Sequence, residues 1–193
     1  MNPPIKPMLL APWDGEDTTG WMISEKLDGL RAIWTGSELL SREGHPFRAP
    51  QWFRDAMPKG VALDGELFGG RGTLAKVSGM FRRRVPIDSE WKRVQFHVFD
   101  SPSVEGPVAD RITEYRRAVT DCNPSVIVPV GHVPCGSIEH MARACSKILA
   151  VGGEGVVVRH PSAHYVHGRT DTALKFRPIE FLHHRILMSV ASN

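Results

Sequence analysis

Residues 25–31 read Glu-Lys-Leu-Asp-Gly-Leu-Arg, a lysine set between acidic residues and followed by a glycine and an arginine. The stretches on either side, residues 21–24 and 30–35, are short, apolar and strand-like. Lys26 is therefore expected at the mouth of a tight connection rather than on a helix surface. A lysine so placed can act as a nucleophile when its amine is kept neutral part of the time. Two carboxylates stand in similarly apolar settings. Glu66 and Glu154 are each flanked by glycine and apolar strand residues, where an ionised group is costly unless it has a partner.

The elements that must position these groups alternate irregularly along the chain. Strands are expected over 21–24 and 30–35, with 39–41 as the return of a hairpin through Gly36-Ser37. Residues 51–57 form a short helix candidate closed by Pro58. A strand over 61–68 is broken by Gly65, and Gly69-Gly70-Arg71-Gly72 makes a loop. The spacing of Leu74, Val77, Met80 and Phe81 predicts a helix over 73–83. Beyond it come a strand over 94–100, a polar helix over 109–122 and a strand over 126–133. Ser137 can cap a helix running to Val151, with Ile138, Met141, Ala142, Cys145, Ile148 and Leu149 on one face. Gly152-Gly153 stops it, and short strands follow over 155–159 and 173–176. This mixture reads as α+β, with one domain over residues 1–178 and a tail over 179–193 too short to be a second.

Composition bounds the class. The 193 residues suffice for one domain with a sizeable core. Hydrophobic content of 41% and charged content of 23% are ordinary for a globular protein. No apolar run approaches ~18 residues, so no membrane span is expected. The proline-rich start lacks the apolar centre of a signal peptide, although a leader removed upstream stays compatible with the sequence. Net charge is +3 and the pI is near 8.9, compatible with a polyanionic partner without requiring one. Arg82-Arg83-Arg84 is the sharper signal. Taken alone it reads as a solvated surface, and phosphate binding gains weight only if the rest of the chain implies nucleic acid. Three cysteines with no Cys-x-x-Cys pair argue against a zinc site or a disulfide framework and suit a reducing, cytoplasmic compartment.

Lys-x-Asp-Gly-x-Arg resembles the signature of enzymes that attach a nucleotide to their own lysine. Five further segments follow in order: Ser41-Arg42-Glu43-Gly44, Leu63-Asp64-Gly65-Glu66-Leu67, Phe96-His97-Val98-Phe99-Asp100, Gly153-Glu154-Gly155-Val156-Val157-Val158-Arg159 and Leu174-Lys175-Phe176-Arg177. Together they resemble the motif set of the ATP-dependent DNA ligases, within the lysyl-nucleotidyltransferase superfamily that also holds RNA ligases and capping enzymes. The resemblance spans nearly the whole chain.

That resemblance implies an adenylation domain of the nucleotidyltransferase kind, an ATP-grasp-like pair of sheets, with Lys26 taking AMP covalently from ATP. Lys175 and Arg177 would neutralise the triphosphate, and Glu154 would hold Mg²⁺ or Mn²⁺. Adenine would lie between Phe99 and Val157. Glu66 would bond the ribose, Arg31 the ribose or its phosphate, and Glu25 would join the nucleotide-contacting set. Arg42 would touch the nucleotide and later DNA, while Arg169 would meet the nick phosphate and Arg82, Arg83 and Arg84 the duplex. The implied partner is nicked double-stranded DNA, bound by a monomer.

Two departures from the family pattern stand out. The last motif usually reads Lys-x-Lys, and here its second cation is Arg177, which grips phosphate but cannot give up its proton. The sequence also ends about fifteen residues after that motif, where ligases normally continue into an OB-fold. An excised domain, a natural minimal form or half of a two-part system with a separate OB-fold or clamp partner all remain open. With 25 residues ahead of Lys26, ATP is favoured over NAD⁺. Two other readings stand beside the ligase: a nick-binding module with weak catalysis, and an RNA ligase or capping-type transferase.

Overall fold

A computed structural model describes residues 6–178; the expected tail over 179–193 lies outside the described residues. In chain order the strands are β1 (Met8–Pro12), β2 (Met22–Lys26), β3 (Leu30–Trp34), β4 (Leu39–Ser41), β5 (Leu63–Phe68), β6 (Gln95–Asp100), β7 (Ile127–Pro129), β8 (Val133–Pro134), β9 (Gly155–Arg159) and β10 (Gly168–Phe176). The helices are α1 (Gln51–Asp55), α2 (Leu74–Ser78), α3 (Asp88–Trp91), α4 (Val108–Val119) and α5 (Ile138–Ala150), with a 3₁₀ turn at Met80–Arg82. Strands β1-β10-β9-β2-β8 form one five-stranded sheet, and β4-β3-β5-β6-β7 form another. The architecture is the two-sheet adenylation fold expected from the sequence.

Alternation decides which side chains each sheet buries. In the first sheet Ile23, Val156, Val158, Leu174 and Phe176 turn to one side and pack with Met141, Cys145 and Ile148 of α5. The sequence placed the last three on one helical face, and Ser137 does cap α5, its hydroxyl accepting from the His140 N–H at 3.2 Å. The register pairs Lys26 with Gly155, Ser24 with Val157 and Val157 with Lys175. Lys26, Ser24, Val157 and Lys175 therefore share the opposite side, together with Arg159.

The second sheet repeats the logic. Ala32, Trp34, Leu63, Leu67, Phe96 and Val98 face a core completed by Phe53 of α1, Trp91 of α3 and Ile112, Tyr115 and Val119 of α4. Its other side carries Arg31, paired in register with Glu66, which is in turn paired with His97. Between Asp64 and Gly65 the register of β5 against β6 shifts, so that Asp64 opposes Asp100 while Gly65 opposes Val98. Phe99 is the extra residue. Such a bulge re-aims side chains and is common beside functional sites. Gly65 is fixed by contact: a Cβ there would sit 2.5 Å from the His97 carbonyl oxygen and 2.6 Å from the Phe96 ring.

The chain differs from the sequence expectation in four places. Strand β1 lies in the proline-rich start and pairs in parallel with β10, which runs longer than residues 173–176. The helix expected over 73–83 breaks at Gly79 into α2 and the 3₁₀ turn. The strand expected over 126–133 splits into β7 and β8, one in each sheet, because the chain leaves β7 at Pro129 and passes through Gly131. Helix α3 is a single turn without the apolar spacing of a longer helix.

Candidate active site

Strand β2 belongs to one sheet and β3 to the other, so Leu27-Asp28-Gly29 carries the chain between them. Lys26 is the last residue before that crossing, at the connection mouth where the sequence placed it. Its Nζ lies 2.5 Å from Glu154 Oε2. The other oxygen of Glu154 meets Arg177 Nη2, also at 2.5 Å. Glu154 enters at the start of β9 after Gly152, whose φ of +80° suits glycine. One carboxylate thus bridges the candidate nucleophile and the arginine that replaces the second lysine of the last motif. Lys175 stands on the same side of the sheet, across Val157 from Ser24.

On the facing sheet Arg31 gives two hydrogen bonds to the buried Asp64, from Nε at 2.5 Å and Nη2 at 2.6 Å, and Nη2 also reaches the Met8 carbonyl at 3.1 Å. Tyr165 donates its hydroxyl proton to Asp64 Oδ2 at 2.6 Å. Burial opposes the Arg31 charge, and the Asp64 carboxylate more than offsets this, so Arg31 is held protonated. Glu66 is half-buried on the same side. Burial pushes its carboxyl up to about 7, against the pull of Arg31 and Lys26. The adjacent His97 is pushed down to about 4, again by burial.

Phe99 sits between these groups and the first sheet. The Arg31 guanidinium carbon is 4.6 Å from its ring centroid, and that of Arg159, arriving from β9, is 5.0 Å away. Arg159 also donates from Nη1 to the Phe99 carbonyl at 2.8 Å and lies 3.8 Å from Asp100. Asp100 is held by the fully buried Arg111 at 2.7 Å. The two expected walls of an adenine slot, Phe99 and the buried Val157, therefore come from opposite sheets.

The remaining candidates spread over neighbouring hollows. A cavity of about 640 Å³ is lined by Arg31, Arg42, Glu66, Phe81 and Arg82 among others. Arg42 is exposed, paired with Glu43 at 3.1 Å, and also lines a second hollow of about 580 Å³ with Lys6 and Arg169. The arginine triplet divides: Arg82 faces the first cavity, Arg84 another, and Arg83 is paired with Glu90 at 3.0 Å. Glu25 is gripped by Arg71 at 2.8 Å from the Gly69–Gly72 loop, so its carboxylate serves as a strap between the sheets. Sequence reading missed Arg71, Tyr165 and Arg159 as supports; Arg159 closes the 153–159 motif and Arg71 lies in the glycine-rich loop after β5, while no motif contains Tyr165.

No protein-family model matches the chain. It is 31% identical over 170 residues to a DNA ligase of Haemophilus influenzae (strain ATCC 51907 / DSM 11121 / KW20 / Rd), covering 88% of this chain and 62% of that protein. A structure of a Lig E DNA ligase, studied for DNA binding with a minimal scaffold, superposes with a TM-score of 0.81 at 28% identity, covering 89% of this chain and 68% of the other. Over nearly its whole length the chain is thus similar to DNA ligases and has the adenylation-domain fold seen in them. The Chlorella virus DNA ligase-adenylate has the same fold, with a TM-score of 0.75 at 21% identity over 91% of this chain and 68% of its own. The chain thus spans about three-fifths of the length of the Haemophilus ligase.

Among the described residues no three His, Cys, Asp or Glu side chains gather as a metal-binding cluster. Mg²⁺ does not require one. It commonly takes one or two carboxylates and completes its shell with water and substrate phosphates; Glu154 is the carboxylate at this place, and Lys26 and Arg177 engage both of its oxygens.

Proposed function

We propose that this chain is the catalytic adenylation unit of an ATP-dependent DNA ligase, and that Lys26 is its nucleophile. The observation that carries the reading is the placement of Lys26 and Lys175 on one sheet, with Glu154 and Arg177 at the ends of its strands, beside Arg31, Glu66 and Phe99 on the other. In the first step Lys26 Nζ, in its neutral form, bonds to the α-phosphorus of ATP, the bond from that phosphorus to the bridging oxygen breaks, pyrophosphate leaves with the electron pair, and the nitrogen releases a proton to water. The Lys26–Glu154 contact must open for that attack. Lys175 and Arg177 balance charge on the phosphates, the chief task in phosphoryl-type transfer. When bound through Glu154, Mg²⁺ would supply further charge neutralisation at the α-phosphate.

In this reading adenine lies between Phe99 and Val157, with Glu66 toward the ribose. Arg31, already oriented by Asp64 and Tyr165, reaches the sugar or its phosphate with the donor that Asp64 leaves available. In the second step an oxygen of a nick 5′-phosphate displaces Lys26 from the adenylyl phosphorus. In the third, the 3′-hydroxyl attacks that 5′-phosphate and AMP leaves. Arg42 and Arg169, sharing one hollow with Lys6, suit the nick phosphate. A pulse–chase experiment tests the reading: protein labelled with ATP and Mg²⁺ is freed of ATP and given nicked duplex. Label is expected to pass to the 5′-phosphate end. Label that stays on protein would contradict the ligase reading, and equal transfer to a nicked RNA duplex would favour an RNA ligase.

A further inference from the structure

Three hollows adjoin through shared walls. The cavity beside Glu66 and the hollow of Arg169 share Arg42 and Glu43. On its other side the same cavity shares Pro46 and Phe47 with a hollow of about 480 Å³, lined by Arg48, Arg54 and Arg84 with Glu38 as its carboxylate. All three of these arginines are exposed, and among the described residues none is ion-paired to a carboxylate. Arg54 is instead oriented by Gln51, whose side-chain oxygen accepts from Nη2 at 2.6 Å. Arg83, in the middle of the arginine triplet, turns away to Glu90.

Three guanidinium groups gathered at one concavity repel each other, and a polyanion relieves that repulsion. We propose that Arg48, Arg54 and Arg84 form the far end of a phosphate track for duplex nucleic acid. The track runs from Arg169 through Arg42 and Arg82 to the side of α1. Contiguity with Arg42 and Arg169 favours a duplex backbone over an acidic peptide, because a backbone presents regularly spaced charge along its whole length. Seated there, the duplex contacts the domain beyond the nick itself, in a hollow whose lining includes neither Lys26 nor Glu154. This extension rests on the proposed role of Arg42 and Arg169 at the nick phosphate.

The test is binding of the full chain to a nicked duplex across a salt titration, for wild type and for the double variant Arg48→Gln/Arg54→Gln, with lysyl-AMP formation measured on each. Each lost phosphate contact lowers the slope of log affinity against log salt by about 0.9, so the double variant is expected to fall by about 1.8. Self-adenylation is expected to stay at the wild-type level. An unchanged slope, no duplex binding by wild type at low salt, or competition by polyglutamate as effective as by duplex would each overturn the track. Absence of lysyl-AMP on wild type, with the slope change intact, would refute the ligase reading and leave the track standing.

Discussion

Glu66 ties charge and burial together in one side chain, at the place proposed for the ribose. Its carboxyl titrates near 7 in the fold, against 4.5 as the reference value, chiefly because burial penalises the charged form. Between those two pH values the folded chain holds a proton that the unfolded chain has released. Stability carried by this group therefore falls as pH rises from about 4.5 through about 7. The loss is at most about 3–4 kcal/mol, from about 2.5 pH units at about 1.36 kcal/mol each. Glu66→Gln is expected to remove that fall, so that urea midpoints of wild type and variant diverge in the variant's favour between pH 4 and pH 8. Parallel curves would show that folding leaves the Glu66 carboxyl near its ordinary value. Phe99 makes a second residue-scale case. If its ring is the adenine platform, Phe99→Ala weakens ATP use several-fold while Phe99→Tyr is mild, a stacking contact being worth on the order of 1 kcal/mol beyond burial. Steady-state KM for ATP decides, and an unaffected KM would mean that the ring serves only to receive Arg31 and Arg159.

At the scale of elements, the devices that hold the sheets in place are local. Ser137→Ala removes the only side-chain cap on α5 and is expected to cost about 1 kcal/mol, read as a lower thermal midpoint with unchanged adenylation. Gly65→Ala is expected to cost more than that, typically about 1–3 kcal/mol for overpacking, because the new methyl meets the His97 backbone as well as the Phe96 ring. A midpoint equal to wild type would mean that β5 and β6 separate without penalty. Both features were legible in sequence, Ser137 from its place ahead of an apolar face and Gly65 from its interruption of a strand. What was not legible depended on long-range pairing. Strand β1 is held by β10, more than 150 residues away in sequence, and Pro12 ends it without local warning. Nothing in residues 126–133 says that the two ends join different sheets. The bulge that frees Phe99 is likewise a property of the register between β5 and β6, which neither strand encodes alone.

At the scale of the molecule, the candidate site is a meeting of two sheets. The β2–β3 crossing puts Lys26 at the junction, Arg159 reaches from one sheet to the Phe99 carbonyl of the other, and Arg71 returns to Glu25. The order of short motifs supplied the candidate residues, several of them within strands: Glu66 in β5, Phe99 in β6 and Val157 in β9. Their partners were less readable: Glu154 bridges Lys26 and Arg177 across separations that only the folded sheet closes. The central claim is that this assembly makes Lys26 a nucleophile toward ATP. Intact mass after incubation with ATP and Mg²⁺, followed by peptide mapping, tests it most directly. Wild type is expected to gain one adenylyl group located on Lys26, and Lys26→Ala to gain none while keeping its thermal midpoint. An adduct retained by Lys26→Ala, or mapped to Lys175, would contradict it.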